Sequence, residues 1–189
     1  GCTVQLTYET QPIPDHYLLV SNHTSFSDPL VTLAFLNGMP VAKAEIRRYP
    51  IIGYAALKTG IIYVKRDEKN SRANARKTVF EALQNGRSVL VYPEGTISPR
   101  PKHLHPFRTG VFHSAFQSDA PIIAMAIHYE YVDSFWSTNR NLLEHFVHQF
   151  GKWRQMVSIK VSSPIKQDTP RLTAERTQHW IQNNLNNLL

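Results

Sequence analysis

Two side chains five residues apart, His23 and Asp28, carry the clearest chemistry in the sequence, within Ser21-Asn22-His23-Thr24-Ser25-Phe26-Ser27-Asp28. A neutral imidazole is a good general base near neutral pH. A carboxylate on its other nitrogen fixes the tautomer and stabilises the imidazolium that forms. Five residues do not share a helix face, but across a strand-to-helix turn the chain can double back and bring the acid against the base. The plainer alternative is a helix cap beside a loop histidine, and the pair alone does not decide between them.

The flanking segments supply that turn. Tyr17-Leu18-Leu19-Val20 is a short apolar run of strand type. Pro29 to Leu36 reads as a helix stopped by Asn37-Gly38. Asp28 before Pro29 is a start signal, because the carboxylate can accept from free backbone N–H groups and proline suits the first helical position. His23 then sits at the C-terminal tip of a strand, where open α/β sheets carry their sites.

Two further strand tips could carry chemistry, although taken singly a surface charge pair closing the first and a structural turn at the second are the plainer alternatives. Ile61-Ile62-Tyr63-Val64 runs straight into Lys65-Arg66. Alternation sends these two to opposite sides, and Arg66 is the better phosphate ligand, since a planar guanidinium grips an oxyanion with two parallel hydrogen bonds. Ser88 to Tyr92 is a buried strand ending in Pro93-Glu94-Gly95-Thr96. There proline ends the ladder, glycine lets a ligand come close, and Glu94 and Thr96 offer an acceptor and a hydroxyl. His103, His105 and His113 have metal-like spacing but no cysteine or acid close by in sequence, so no metal site is expected.

The remaining elements alternate strands with helices. Met39-Pro40-Val41-Ala42 is a weak strand leading to Lys43, and Tyr49 to Gly53 is a break before a short helix ending near Gly60. Asn70 to Gln84 is helical, with Ala75, Val79, Ala82 and Leu83 on one face. A helix from Phe107 to about Ser118, a buried strand from Ala120 to Ile127 and a last strand from Val157 to Val161 follow. Between these two strands, Leu142, Leu143, Phe146, Val147 and Phe150 have helical spacing. Thr169-Pro170 opens a final helix docked by Trp180, Ile181, Leu185 and Leu188. The expected fold is a single α/β domain over residues 1–189, with a mixed, largely parallel sheet flanked by helices and its site at the strand C-terminal tips.

The formal net charge of +7 lies in one region: from Lys43 to Lys77 ten basic residues face three acidic ones, and the rest of the chain is neutral. An anionic partner is implied, and nucleic acid is disfavoured because no recognisable nucleic-acid module accompanies the charge. Lys69, Arg72, Arg76 and Lys77 read as a solvated helix face. One cysteine excludes an internal disulfide framework. No apolar run approaches the roughly 20 residues needed to span a bilayer. An N-terminal membrane anchor before Gly1 stays compatible with the sequence.

With these residues in hand, the chain resembles the glycerophospholipid acyltransferases, most closely the 1-acylglycerol-3-phosphate acyltransferases. Four blocks appear in the family's order: Asn22 to Asp28 (His-x4-Asp), Gly60 to Arg66, Tyr92 to Thr96, and Ala120 to Ile123. Lys43, the Pro50/Gly53 pair and Pro106 to Gly110 also fit. The resemblance implies acyl transfer from an acyl-CoA or acyl carrier protein thioester to the free hydroxyl of a lysophospholipid. It makes His23 the base and Asp28 its orienting acid, with no covalent acyl-enzyme. Arg66 is then the phosphate contact, and Glu94, Gly95, Thr96, Gly60 and Lys43 bind the acceptor. No cofactor is expected beyond the acyl donor.

Many relatives have arginine where this chain has Ile97 and an acid where it has Lys65, which leaves the headgroup open, with phosphatidic acid synthesis the default. Burial of a methylene is worth about 0.8 kcal/mol, so a long acyl group prefers lipid or a groove to water by on the order of 10 kcal/mol. The expectation is an enzyme held peripherally on the anionic, cytoplasmic face of a membrane. A thioesterase using the same base on water and a non-catalytic lipid-surface module are the alternatives.

Overall fold

The computed structural model of the protein describes residues 2–45, 60–64, 70–98, 100, 102–131, 144, 147, 151 and 154–188. Its centre is β2 (Leu18–Ser21), four residues buried on both faces, as the continuous apolar run demands. β5 (Val89–Val91) and β6 (Ile122–Tyr129) flank it, both parallel, with Leu18 opposite Val89 on one side and Ile122 on the other. Beyond β5 lie β3 (Met39–Lys43) and β4 (Ile62–Val64), again parallel. On the other flank β7 (Gln155–Val161) runs antiparallel to β6, and β1 (Cys2–Tyr8) runs parallel to β7 at the edge. The sheet order is β1-β7-β6-β2-β5-β3-β4.

Alternation along these strands divides the core into two layers. Leu18, Val20, Val89, Val91, Ile122 and Ala124 face the layer holding Val79 and Leu83 of α2 (Ser71–Gln84), Phe112 and Ala115 of α3 (Gly110–Ser118), and Ile181 and Leu185 of α4 (Pro170–Asn187). Leu19, Leu90, Ile123, Met125 and Ile127 face the opposite layer, with Val157 and Ile159, and with Val31, Leu33 and Leu36 in and just after α1 (Asp28–Leu33).

Three features depart from the sequence reading. The strand β1 was not expected, although Val4, Leu6 and Tyr8 alternate inward along it. The helix expected to run to Leu36 stops at Leu33, and its exit tightens as Phe35 and Leu36 both donate to the Thr32 carbonyl. The chain must then turn sharply to bring Gly38 against β5, where a Cβ would lie 3.2 Å from the Leu90 nitrogen. Asp28 does not cap its helix: its carboxylate turns back to accept from Thr24 and Ser25. The Pro50/Gly53 break, Lys65-Arg66 and Leu142, Leu143, Phe146 and Phe150 lie outside the described residues.

Candidate active site

The tip of β2 delivers His23. His23 Nδ1 lies 2.8 Å from Asp28 Oδ2, with the acid wholly buried and the histidine side chain 16% exposed. The same Oδ2 accepts from the backbone N–H of Thr24 at 2.7 Å and of Ser25 at 2.9 Å, and Tyr129 donates its hydroxyl to Oδ1 at 2.7 Å. With so many donors converging on it, the carboxylate acts as an acceptor. Nδ1 must therefore carry the imidazole proton, which leaves the Nε2 lone pair free to take another. The ring is held flat against Tyr92, centroids 4.2 Å apart and planes 20° from parallel.

Asn22 and Glu94 fix the backbone around His23. The Asn22 amide donates to the Ile127 carbonyl and accepts from the Ile127 N–H, both at 2.9 Å, so it continues the β2–β6 pairing with a side chain. Glu94 is 4% exposed. Its Oε1 accepts from His23 N–H at 3.0 Å and its Oε2 from His105 N–H at 2.9 Å. Burial pushes its carboxyl up from the usual range, and these two hydrogen bonds pull part of the way back.

A cleft of about 760 Å³ is lined in part by Tyr92, Pro93 and Gly95; His23 and Asp28 do not line it, and Tyr92, stacked on His23, joins the two. Val41, Val64, Val79, Val91, Phe107 and Val111 make it apolar, and Lys43, Arg72, Arg76 and Arg108 supply positive charge. Gly95 has φ +70°, and a Cβ there would sit 2.8 Å from the Arg108 guanidinium carbon. The glycine is needed both for the left-handed turn and for the arginine lying on it.

The structure brings His23, Asp28 and Glu94 together, and Tyr92 links them to the cleft. Lys43 and Gly95 line the cleft. Glu94 and Thr96 do not: Glu94 is committed to two backbone groups, and Thr96 is exposed in the turn. Gly60 lies before β4 against Met39 and is likewise outside the lining. Arg66 falls outside the described residues.

Arg72 and Arg76 are exposed, as a solvated face requires, and that same face lines the cleft. One turn apart, they reach over the cleft, Arg76 lying against Gly110, while Lys77 points away to Glu81. Tyr129 and Arg108 were not picked out. A tyrosine ending an otherwise apolar buried strand is a faint signal that its hydroxyl has a partner. Among the described residues no cluster of histidine, cysteine and carboxylates could hold a metal ion.

The chain is 30% identical over 122 residues to a 1-acyl-sn-glycerol-3-phosphate acyltransferase of Neisseria gonorrhoeae, covering 63% of this chain and 48% of that one. It is 30% identical over 175 residues to the alpha form of the same enzyme from Ovis aries, covering 89% and 57%. With a lyso-ornithine lipid O-acyltransferase of Pseudomonas aeruginosa it shares 32% over 117 residues, 59% and 43% of the two chains. The chain spans about half the length of these curated relatives.

The fold matches the crystal structure of the 1-acyl-sn-glycerophosphate (LPA) acyltransferase PlsC from Thermotoga maritima, with a TM-score of 0.70 and 21% identity over 97% of this chain and 72% of that one. A family model described as Acyltransferase matches residues 5–128, from within β1 to the penultimate residue of β6. The chain belongs to that family.

Proposed function

We propose that this chain transfers a fatty acyl group from a thioester, acyl-CoA or acyl carrier protein, to the free hydroxyl of a lysophospholipid, with 1-acylglycerol-3-phosphate the preferred acceptor. The observation that carries the reading is the His23–Asp28 pair, joined through Tyr92 to a cleft rimmed by Lys43, Arg72, Arg76 and Arg108. Such a rim suits a phosphomonoester, which offers several anionic oxygens to guanidinium groups. By family resemblance Arg66 joins these cations, with Glu94, Gly95, Thr96 and Gly60 supporting the acceptor side.

His23 Nε2 takes the hydroxyl proton as the acceptor oxygen attacks the thioester carbonyl. The C–S bond then breaks, and the departing sulfur takes the proton back from the imidazolium, so an ester and a free thiol form and the base is regenerated. No covalent acyl-enzyme is invoked, because Ser25 and Ser27 lack the glycine-flanked elbow of a serine nucleophile and the lone cysteine is outside the site.

Among the described residues no helix is long and apolar enough to cross a membrane. The proposed setting is peripheral, at an anionic bilayer surface on the cytoplasmic side. A second reading has lyso-ornithine lipid as acceptor, favoured by the relative of that name. A panel of lysolipids assayed with one acyl-CoA, products read by mass, separates the two. Thiol release that rises with lysophosphatidate supports the proposal. Equal release without any lysolipid would mark a thioesterase instead.

A further inference from the structure

Asp28 is wholly buried, and its two oxygens are held in different ways. Oδ2 takes its donors from the turn in which it lies: His23 Nδ1, Thr24 N and Ser25 N. Oδ1 takes one from 101 residues away, the Tyr129 hydroxyl at 2.7 Å. Tyr129 closes β6 and is itself wholly buried, packed in the layer of Tyr17, Leu19, Ile127 and Val157. Burial and the neighbouring Asp28 charge raise its phenol well above the usual value, so it keeps its proton and serves as a donor. It lies one residue beyond the segment that the family model matches.

We infer that Tyr129 is a positioning residue of the acyl-transfer site: by donating to Asp28 Oδ1 it locks the carboxylate's rotation and sets the proton affinity of the His23–Asp28 pair. This rests on the reading of His23 as the base. In its working form the pair is a neutral imidazole with a carboxylate and carries one negative charge. After taking a proton it is neutral overall. A hydrogen bond to the carboxylate stabilises the charged form more, so it lowers the pH at which the pair picks up a proton. The other titratable groups around this unit are Tyr92, stacked on His23; Cys2, at the start of β1; Glu94, beneath the His23 backbone; and His105, on the far side of Glu94.

Tyr129→Phe keeps the ring and removes the donor. The expected result is a fall in kcat on the order of tenfold to a hundredfold, with KM for lysolipid and acyl donor near wild type. The acidic limb of the kcat/KM profile is expected to move to higher pH. A ring-fluorinated tyrosine at position 129 alone, a stronger donor of nearly the same shape, is expected to move that limb to lower pH.

An unchanged rate and limb in Tyr129→Phe overturns the inference. So does a lower kcat with no movement of the limb in either variant, which is what a purely structural role predicts. If Tyr129→Phe does not fold, the fluorotyrosine protein decides alone: a limb displaced to lower pH supports the inference and a fixed limb overturns it. Turnover that survives in His23→Ala instead removes the base itself, a failure distinct from this one.

Discussion

At position 23 the neighbours choose which ring nitrogen is reactive. Asp28 holds Nδ1 and Tyr92 covers a face, so Nε2 is the nitrogen with a lone pair to offer. Removing the base in His23→Ala is expected to cut kcat by about 10²–10⁴-fold with the fold intact, read from thiol release and from thermal unfolding. Asp28→Ala is expected to act on stability as well, because it strands two backbone N–H groups and the Tyr129 hydroxyl in the interior.

Glu94 gives a pH prediction of definite sign. Its native proton affinity is raised above the ordinary value of 4.5 by burial. In the window from there up to its native value, the folded state binds more proton than the unfolded one. Stability therefore falls as pH rises through that window. Glu94→Gln is expected to abolish this component, visible when denaturant midpoints of the two proteins are compared across mildly acidic pH. At Gly95, alanine faces a left-handed backbone and the Arg108 guanidinium together. Gly95→Ala is expected to cost about 1–3 kcal/mol of stability and to raise KM for the acceptor. A variant with wild-type melting and KM would contradict the assigned contact.

Among the elements, α2 has two occupations. Its Val79 and Leu83 face docks on the sheet, while Arg72 and Arg76 extend over the cleft. Arg72→Ala and Arg76→Ala are each expected to raise KM for a phosphate-bearing acceptor roughly fivefold to tenfold with little change in kcat. The same substitutions should leave KM for a lysolipid without phosphate nearly unchanged, and equal effects on both would argue against phosphate binding at this rim. The last helix, α4, is structural. Thr169 accepts from Leu172 N–H, Pro170 opens the first turn, and Ile181 and Leu185 are wholly buried against the sheet. Thr169→Ala is expected to cost about 1 kcal/mol, measured by denaturant midpoint, without altering turnover.

For the molecule as a whole, the charge between Lys43 and Lys77 predicts how it meets lipid. Basic residues near an anionic surface contribute about 1 kcal/mol each, and that attraction fades as salt shortens the Debye length. Flotation with anionic vesicles at low salt and release at high salt is the expected outcome. Binding indifferent to salt would refute an electrostatic attachment. The sequence by itself determined the succession of buried strands, because runs such as Leu18 to Val20 and Ile122 to Ile127 can satisfy their apolar faces only inside a covered, mainly parallel sheet. It also made the turn that pairs His23 with Asp28 possible, since that geometry is local, and the structure chose it over a helix cap. Tertiary structure alone decided what lies far apart in the chain. It set Tyr129 on the second carboxylate oxygen, clamped Glu94 to the His23 backbone, and brought the exposed Arg72 and Arg76 to the rim of a cleft. A hydrogen bond or a shared cavity between distant residues depends on strand order and register, and no spacing along one strand or helix encodes those.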